Sequence, residues 1–306
     1  MAELVCMGLT TLDILGRPVR ALPKGGSTAL VESISLAPAG TAGGCAVVAS
    51  RLGLNTGLVS LSGADRNGKI LRLLLEEEQI DLTHFGESQD LPTSTTILLI
   101  SETGERPNLH MLGASVLTRF TPEAIQAAKD ADYLHFAGIG FPGLMEHDTL
   151  EALRAIRAAG TVITADLISP NKDLIPFLKS LLPLVHVFMP SLAEAEILLG
   201  DVNAEQAAQA FEAFGAVSTI IKDGGRGSVG YHQDQLMSVP AMPIEVVDTT
   251  SCGDSYCAGF IAGLHEGADF EGAMRLATGT AALVAQGAGT LGKLESKAQV
   301  KEVLSS

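Results

Sequence analysis

The sequence predicts an α/β fold: a mostly parallel central sheet flanked by helices, with a small β excursion outside it. From Pro122 onward helical and strand patterns alternate (Glu123–Ala131, Tyr133–Ala137, Asp148–Ala159, Thr161–Ala165), which implies parallel strands joined by crossover helices. Residues 15–40 hold no convincing helix, only Pro18, Pro23, Gly25-Gly26 and an alternating segment from Val31 to Leu36, a pattern of strands set apart from the main sheet. Gly and Ala are abundant and aromatics only 4%, as expected where helices pack closely on a sheet. At 306 residues the chain has room for one large α/β domain or two modest ones.

Leu4–Gly8 is a buried strand, and Gly8-Leu9-Thr10-Thr11-Leu12-Asp13 carries polar residues out of its C-terminal end, where ligands collect in open α/β sheets. Taken alone, Asp13 is an ordinary turn residue. Ala39-Gly40-Thr41-Ala42-Gly43-Gly44 leads into an apolar helix, Cys45–Leu52, and composition fits a tight turn there equally well. A strand over 55–62, a loop over 63–68 and a helix over 69–79 follow, with Glu76-Glu77-Glu78 as solvated surface. Thr93–Ser101 is rich in β-formers, turns at Glu102-Thr103-Gly104-Glu105 and returns as Arg106–Leu112, a hairpin.

Gly138-Ile139-Gly140-Phe141-Pro142-Gly143 spells G-x-G-x-x-G after a strand, with Asp166 at the end of the next one, and permits a nicotinamide-dependent oxidoreductase. Against it, Pro142 lacks an N–H close to where a pyrophosphate would sit, and the motif lies mid-chain. A second chance match, Gly225–Gly230, shows how cheap the pattern is in a Gly-rich chain. Val185–Met189 is a strand before a helix with acids, Glu194 and Glu196, near its start. Thr219–Ile221 is a buried strand before Lys222-Asp223-Gly224-Gly225-Arg226-Gly227. No G-x-x-x-x-G-K-[ST] occurs, so this is not a P-loop enzyme. Met274–Ala285 is an apolar helix entering Gln286-Gly287-Ala288-Gly289-Thr290.

A net charge of −15 argues against nucleic acid or anionic membrane as a partner, but not against a small phosphate ligand held at a local site. The Met-Ala-Glu-Leu start lacks a signal-peptide pattern, no apolar run approaches a membrane span, and Cys6, Cys45, Cys252 and Cys257 read as free thiols, so the expected location is the cytoplasm.

The chemistry concentrates at 247–260. Ile244–Val247 is expected as a strand, and Cys257, Phe260, Ile261 and Leu264 recur at i, i+3, i+4 and i+7 as one helix face. The small residues between end on a free helix N-terminus, whose unpaired N–H groups and dipole hold an anion. Asp254 would repel that anion unless it has a task, such as taking a proton from a hydroxyl that attacks a phosphate held there. The plain alternative is an acid favoured in a first helical turn.

Asp248-Thr249-Thr250-Ser251-Cys252-Gly253-Asp254, followed by Ala258-Gly259-Phe260, resembles the C-terminal signature of the ribokinase-like (PfkB) carbohydrate kinases, with Cys252 where a smaller residue is usual. The resemblance covers nearly the whole chain and implies one ribokinase-like kinase domain over 1–306, with a β lid formed by about 14–38 and 93–113. It implies Asp254 as catalytic base and the amides of Ser251, Cys252 and Gly253 as anion hole. Asp13 falls at the family's sugar-hydroxyl ligand, and Gly40, Thr41 and Gly44 in its sugar-binding turn; Ala39 replaces one glycine and Gly44 stands where an Asn commonly contacts sugar. Glu194 matches the Glu of an Asn-x-x-Glu motif tied to Mg²⁺, acting through water, with Ser191 in place of the Asn. Lys222, Gly225, Gly227 and Gly287 fall at the ATP site, and Asp248 and Thr250 at the earlier half of a monovalent-cation (K⁺) site. The implied activity is transfer of the γ-phosphoryl group of ATP to a hydroxyl of a sugar or sugar-like acceptor. The alternatives are a nucleoside kinase of the same fold, a non-catalytic sugar-binding relative and the nicotinamide enzyme. Family analogy also allows a homodimer through the lid.

Overall fold

Residues Leu4–Met7 (β1) show how the main sheet is built: Leu4 and Cys6 enter one core and Val5 and Met7 the other. A strand covered on both faces by helices needs such a continuous apolar run. The computed structural model describes residues 2–103 and 105–305. Gly104, within the turn expected at 102–105, and Met1 at the chain start lie outside the described residues.

After β1 come β2 (Thr11–Arg17), β3 (Ser33–Ala39), α1 (Thr41–Arg51), β4 (Thr56–Gly63), α2 (Arg66–Glu77), β5 (Phe85–Ser88), β6 (Thr95–Leu99) and β7 (Asn108–Met111). The middle of the chain gives α3 (Pro122–Lys129), β8 (Tyr133–Ile139), α4 (His147–Ala158), β9 (Val162–Leu167), α5 (Ile175–Leu181), β10 (Val187–Phe188), α6 (Leu192–Leu199), α7 (Ala204–Glu212) and β11 (Ser218–Lys222). Then follow β12 (Ser228–His232), β13 (Gln235–Val239), α8 (Cys252–His265), α9 (Phe270–Ala285) and α10 (Lys297–Ser305).

The large sheet has the order β13-β12-β11-β10-β9-β8-β1-β4-β5. It is parallel from β5 to β11, and the β11–β12–β13 edge is antiparallel. Its C-terminal edge is therefore continuous across the centre of the molecule, and the loops that leave it carry the polar residues. Helices α8 and α9 pack closely because Gly259 and Gly263 carry no side chain: a Cβ on either would come within 2.8 Å of the α9 backbone.

A second sheet, β3-β2-β6-β7, stands apart from the first. Asp13, Thr96 and His110 fall in one row across β2, β6 and β7. Ile14, Leu36, Ile97 and Leu109 form the next row and so point to the opposite face. Ile34, on that same outer face, is 72% exposed and Leu109 63%.

Some sequence expectations differ from the structure. The stretch 244–247 joins no sheet: between Pro240 and Pro243 the chain leaves β13, and Val247 bonds instead to Ala285 O. Helix α1 starts at Thr41 rather than Cys45, placing Gly43 and Gly44 inside its first turns. Helix α2 begins within the expected 63–68 loop, because the Asp65 carboxylate caps it by accepting the Gly68 N–H. Helix α7 and the β12–β13 hairpin were not anticipated, although Asn203 and Gln206 form a capping box. The Gly138–Gly143 motif opens no helix: β8 runs through Ile139 into a 3₁₀ turn at Pro142–Leu144, and α4 starts only at His147.

Candidate active site

Helix α8 begins in the middle of the molecule, and its cap is strained. Ser251 takes the left-handed conformation at φ 54°, which a side-chain-bearing residue adopts at a cost of about 1–3 kcal/mol. The turn aims free donors outward. The amides of Ser251, Gly253 and Asp254 make no hydrogen bond among the described residues, and that of Cys252 makes only a long one, 3.4 Å, to Thr249 O. This is an anion site built from main chain.

Asp254 follows in the first helical turn. Burial pushes its carboxyl up to about 7, and nearby Asp166 adds to the shift, while Lys222 and the Ser251 hydroxyl offset part of it. A carboxyl at that value is poised between proton acceptor and donor near neutral pH. Its other neighbour is Gly44: a Cβ there would stand 3.0 Å from Asp254 Oδ2 and 3.2 Å from Ser251 Oγ. A side chain at 44 would therefore press on both Asp254 and Ser251 at the first turn of α8.

Asp13 looks toward this point from the inner face of the small sheet. Thr11 Oγ1 donates to its Oδ1 at 3.1 Å, and Thr96 Oγ1, itself 3.0 Å from His110 Nδ1, is the next link. Burial raises the Asp13 carboxyl, and hydrogen bonds from Thr96 and Thr11 hold it back. Gly40 is the N-cap of α1, and Thr41 Oγ1 is buried with no hydrogen-bond partner among the described residues. Of the four residues expected on the acceptor side, Gly44 lies directly against Asp254, and Asp13 acts on its carboxyl electrostatically.

On the far side of the α8 N-terminus lies a cavity of about 450 Å³. Met242, Pro243, Ile244, Val246, Ala281 and Ala285 make its apolar walls, and Lys222, Thr249, Cys252 and Gly253 its inner end. The segment that failed to form a strand is one of these walls. An apolar slot ending on amides and a lysine suits a base at one end and phosphates at the other. Gly225 lines the cavity; Gly227 lines it too, but is glycine for an internal reason, since a Cβ there would meet Val239 O at 2.1 Å. Gly287 is not among the lining residues and packs against Gly292.

Lys222 donates to Asp166 Oδ2 at 2.6 Å. Burial favours loss of the lysine proton, but Asp166, Cys257 and Glu194 together hold its pKa above the ordinary value. Glu194 completes a capping box on α6, its Oε2 taking both the Ser191 N–H and the hydroxyl. Burial and then Asp166 push its carboxyl up. No cluster of three or more His, Cys, Asp or Glu able to hold a metal occurs among the described residues. The carboxylates of Glu194 and nearby Asp166 fit Mg²⁺, which keeps several waters and leans on one or two carboxylates plus substrate phosphates. Asp248 is fully buried: its Oδ1 accepts from Thr250 N and Oγ1, and its Oδ2 from Gly289 N, joining the loop before α8 to the loop after α9.

Two site residues escaped the sequence reading. In the sequence Asp166 belongs only to the dinucleotide-like pattern after Gly138–Gly143, whereas in the fold it sits near the C-terminal end of β9. Arg106 was seen only as hairpin, yet its Nε donates to Thr249 Oγ1 at 2.9 Å across the cleft.

A helix start with unpaired amides, a raised carboxyl beside it and a largely apolar cavity next to them suit a phosphotransferase acting on a hydroxyl. The comparisons with known proteins agree. The profile of the pfkB family carbohydrate kinase matches residues 1–297. The chain is 28% identical over 259 residues to the fructokinase of Klebsiella pneumoniae, covering 82% of this chain and 83% of that one. It is 26% identical over 292 residues to the nucleoside kinase of Methanothermobacter thermautotrophicus, covering 94% and 91%. Among solved structures, Arabidopsis thaliana ribokinase with ribose and ATP superposes with a TM-score of 0.83 at 21% identity, covering 100% and 99%. The chain belongs to the pfkB family of carbohydrate kinases, and is an ATP-dependent kinase of sugar-like acceptors. Its fold is the ribokinase fold.

Proposed function

We propose that this chain works as a single kinase domain with a β lid, and that Asp254 is the general base that hands a hydroxyl of a sugar, by preference a primary alcohol, to the γ-phosphorus of ATP. The observation that carries the reading is the raised Asp254 carboxyl lying beside unpaired α8 amides, with Asp13 facing it across the cleft. Asp13 orients the acceptor. Asp254 takes the hydroxyl proton, the acceptor oxygen bonds to phosphorus, the bond to ADP breaks, and the amides of Ser251, Cys252 and Gly253 stabilise the charge on the transferring group. Lys222 and Gly225 border the nucleotide phosphates. Glu194, acting through water, and Asp166 are suited to hold Mg²⁺, which supplies charge neutralisation when bound; an E. coli chain described as ribokinase II was solved with ATP and Mg²⁺. K⁺ is proposed at the Asp248–Thr250 loop, and the cytoplasm as the place of work, in keeping with four free cysteines.

Nucleoside phosphorylation is the second reading, favoured by the nucleoside kinase relative and by the side-chain-free position 44. The outer lid face, with Ile34 and Leu109 exposed, is proposed to pair with a second copy. Light scattering on an Ile34→Glu, Leu109→Lys variant tests this, and an unchanged mass would sink it.

ADP release from ATP-Mg²⁺ with K⁺, across pentoses, hexoses, ketoses, sugar acids and nucleosides, tests the main reading. Turnover with one class, lowered about 100-fold or more in Asp254→Asn with ATP still bound, is the expected result. Near-normal turnover in that variant would refute Asp254 as the base.

A further inference from the structure

Asp65 does more than cap α2. Its Oδ1 accepts the Gly68 N–H at 2.8 Å, as an N-cap does, but the carboxylate also takes two bonds from one residue far along the chain. Thr93 Oγ1 donates to Oδ1 at 2.6 Å, and Thr93 N donates to Oδ2 at 3.0 Å. The Thr93 hydroxyl in turn accepts from Gly63 N at 3.0 Å, so both ends of the turn between β4 and α2 hold it. Thr93 is fully buried, and two residues later the chain enters β6.

The contact leaves no slack. A Cβ on Gly63 would stand 2.5 Å from Thr93 N, and one on Gly68 2.9 Å from Thr93 Oγ1. Beside it, Ser94 Oγ accepts from Gly113 N at 3.0 Å and lies 2.7 Å from Ser115 Oγ, while Ser94 O accepts from Leu12 N at 2.9 Å. The start of β2, the root of β6 and the chain after β7 are therefore tied together at one level, and Asp65 ties that level to β4 and α2 of the main body. Three residues beyond Thr93 stands Thr96, paired in register with Asp13. Neither Asp65 nor Thr93 lines the cavity beside the α8 start.

We propose that Asp65 is a positioning residue for the acceptor: by holding Thr93 it sets the root of β6, and with it the place of Thr96 and Asp13 over the acceptor. This rests on the kinase reading above and concerns the acceptor side alone. Capping needs one acceptor atom, which Ser, Thr or Asn would supply equally well; a carboxylate accepts on both oxygens, and here both are used. A shift of about 1 Å in a positioning group costs on the order of 100-fold in rate, so a loose root would be felt at the acceptor.

Asp65→Asn separates the two tasks. One of its terminal atoms still accepts and caps α2, but the other is a donor and cannot take the Thr93 N–H. Thr93→Val removes the hydroxyl and keeps the branched shape, and Thr93→Ser keeps the hydroxyl. The measurements are steady-state kinetics with the panel acceptor that the wild type turns over, and Mg²⁺-ADP affinity by calorimetry. Acceptor KM should rise about tenfold or more in Asp65→Asn and Thr93→Val and stay within about threefold of wild type in Thr93→Ser, with ADP affinity within about twofold throughout. The combined Asp65→Asn, Thr93→Val variant should be little worse than either single one, since each breaks the same contact. A lowered Tm with unchanged acceptor KM would overturn the proposal by reducing Asp65 to a helix cap. Loss of ADP affinity in step with acceptor KM would overturn it too, because the whole site would then be disturbed. If Thr93→Val does not fold, Asp65→Asn against Thr93→Ser decides. Failure of the underlying kinase reading looks different: Asp254→Asn would then turn over normally.

Discussion

Lys222 Nζ lies 2.6 Å from Asp166 Oδ2, with the two side chains 11% and 5% exposed, so the cation in the cavity beside the α8 start is already paired. Removing one partner of such a pair leaves an uncompensated buried charge and costs about 3–5 kcal/mol. Asp166→Asn should therefore lower Tm by roughly 10 °C. Replacing both, Asp166→Asn with Lys222→Met, should recover most of the loss. Additive losses in the double variant, read by differential scanning calorimetry, would mean the two residues are not coupled.

The pair also marks where sequence reading stopped. Strand and helix types were largely legible, because strands buried on both faces must be continuously apolar, as Leu4–Met7 is, and because helix faces repeat every three to four residues, as from Cys257 to Leu264. The α8 N-terminus was legible for the same reason: its donors and Asp254 are contiguous in the chain. Asp166 meets Lys222 from 56 residues away, and Arg106 meets Thr249 from 143 residues away. No local pattern encodes such encounters; they exist only once the sheet order and the lid are set. The segment 244–247 failed in the opposite way. Its β-branched residues signal burial against something apolar, and the partner is a cavity rather than a sheet.

With Asp254 as the proposed base, a carboxyl near 7 would set the pH dependence of activity. A general base works in its deprotonated form, so kcat/KM for the acceptor should rise tenfold per pH unit below about 7 and level off above it. A flat profile between about pH 5.5 and 8.5, under conditions where chemistry limits the rate, would count against Asp254 as the base.

The same shift has a cost in stability, and its sign is opposite to that of an ordinary ion-paired carboxylate. The folded-state value lies above the usual 3.8, so this group's contribution is fully present below about 4 and is lost as pH rises through about 7. At pH 8 the wild type carries the full penalty of a deprotonated, desolvated carboxylate. Asp254→Asn, neutral at every pH, should then exceed wild type in Tm by several degrees, with the gap narrowing toward about pH 4. A constant difference across that range would point to packing instead of charge.

Gly44 gives the sharpest separation of activity from stability. Glycine in a helix costs about 1 kcal/mol relative to alanine, so on propensity alone Gly44→Ala stabilises α1. The added Cβ would sit 3.0 Å from Asp254 Oδ2, closer than a carbon normally approaches, and 3.2 Å from Ser251 Oγ. Asp254 must then shift by a few tenths of an ångström, away from the position the proposed mechanism requires of it. Misplacement on that scale weakens general-base catalysis without touching the nucleotide cavity on the other side of the α8 start. Gly44→Ala should hold or raise Tm and leave ADP affinity within about twofold, while kcat falls at least tenfold. Gly44→Asn, which adds a longer polar chain at the same point, should be worse in kcat than Gly44→Ala. Wild-type turnover in both variants would show that the carboxylate has room to move and that the small residue at 44 serves the acceptor alone.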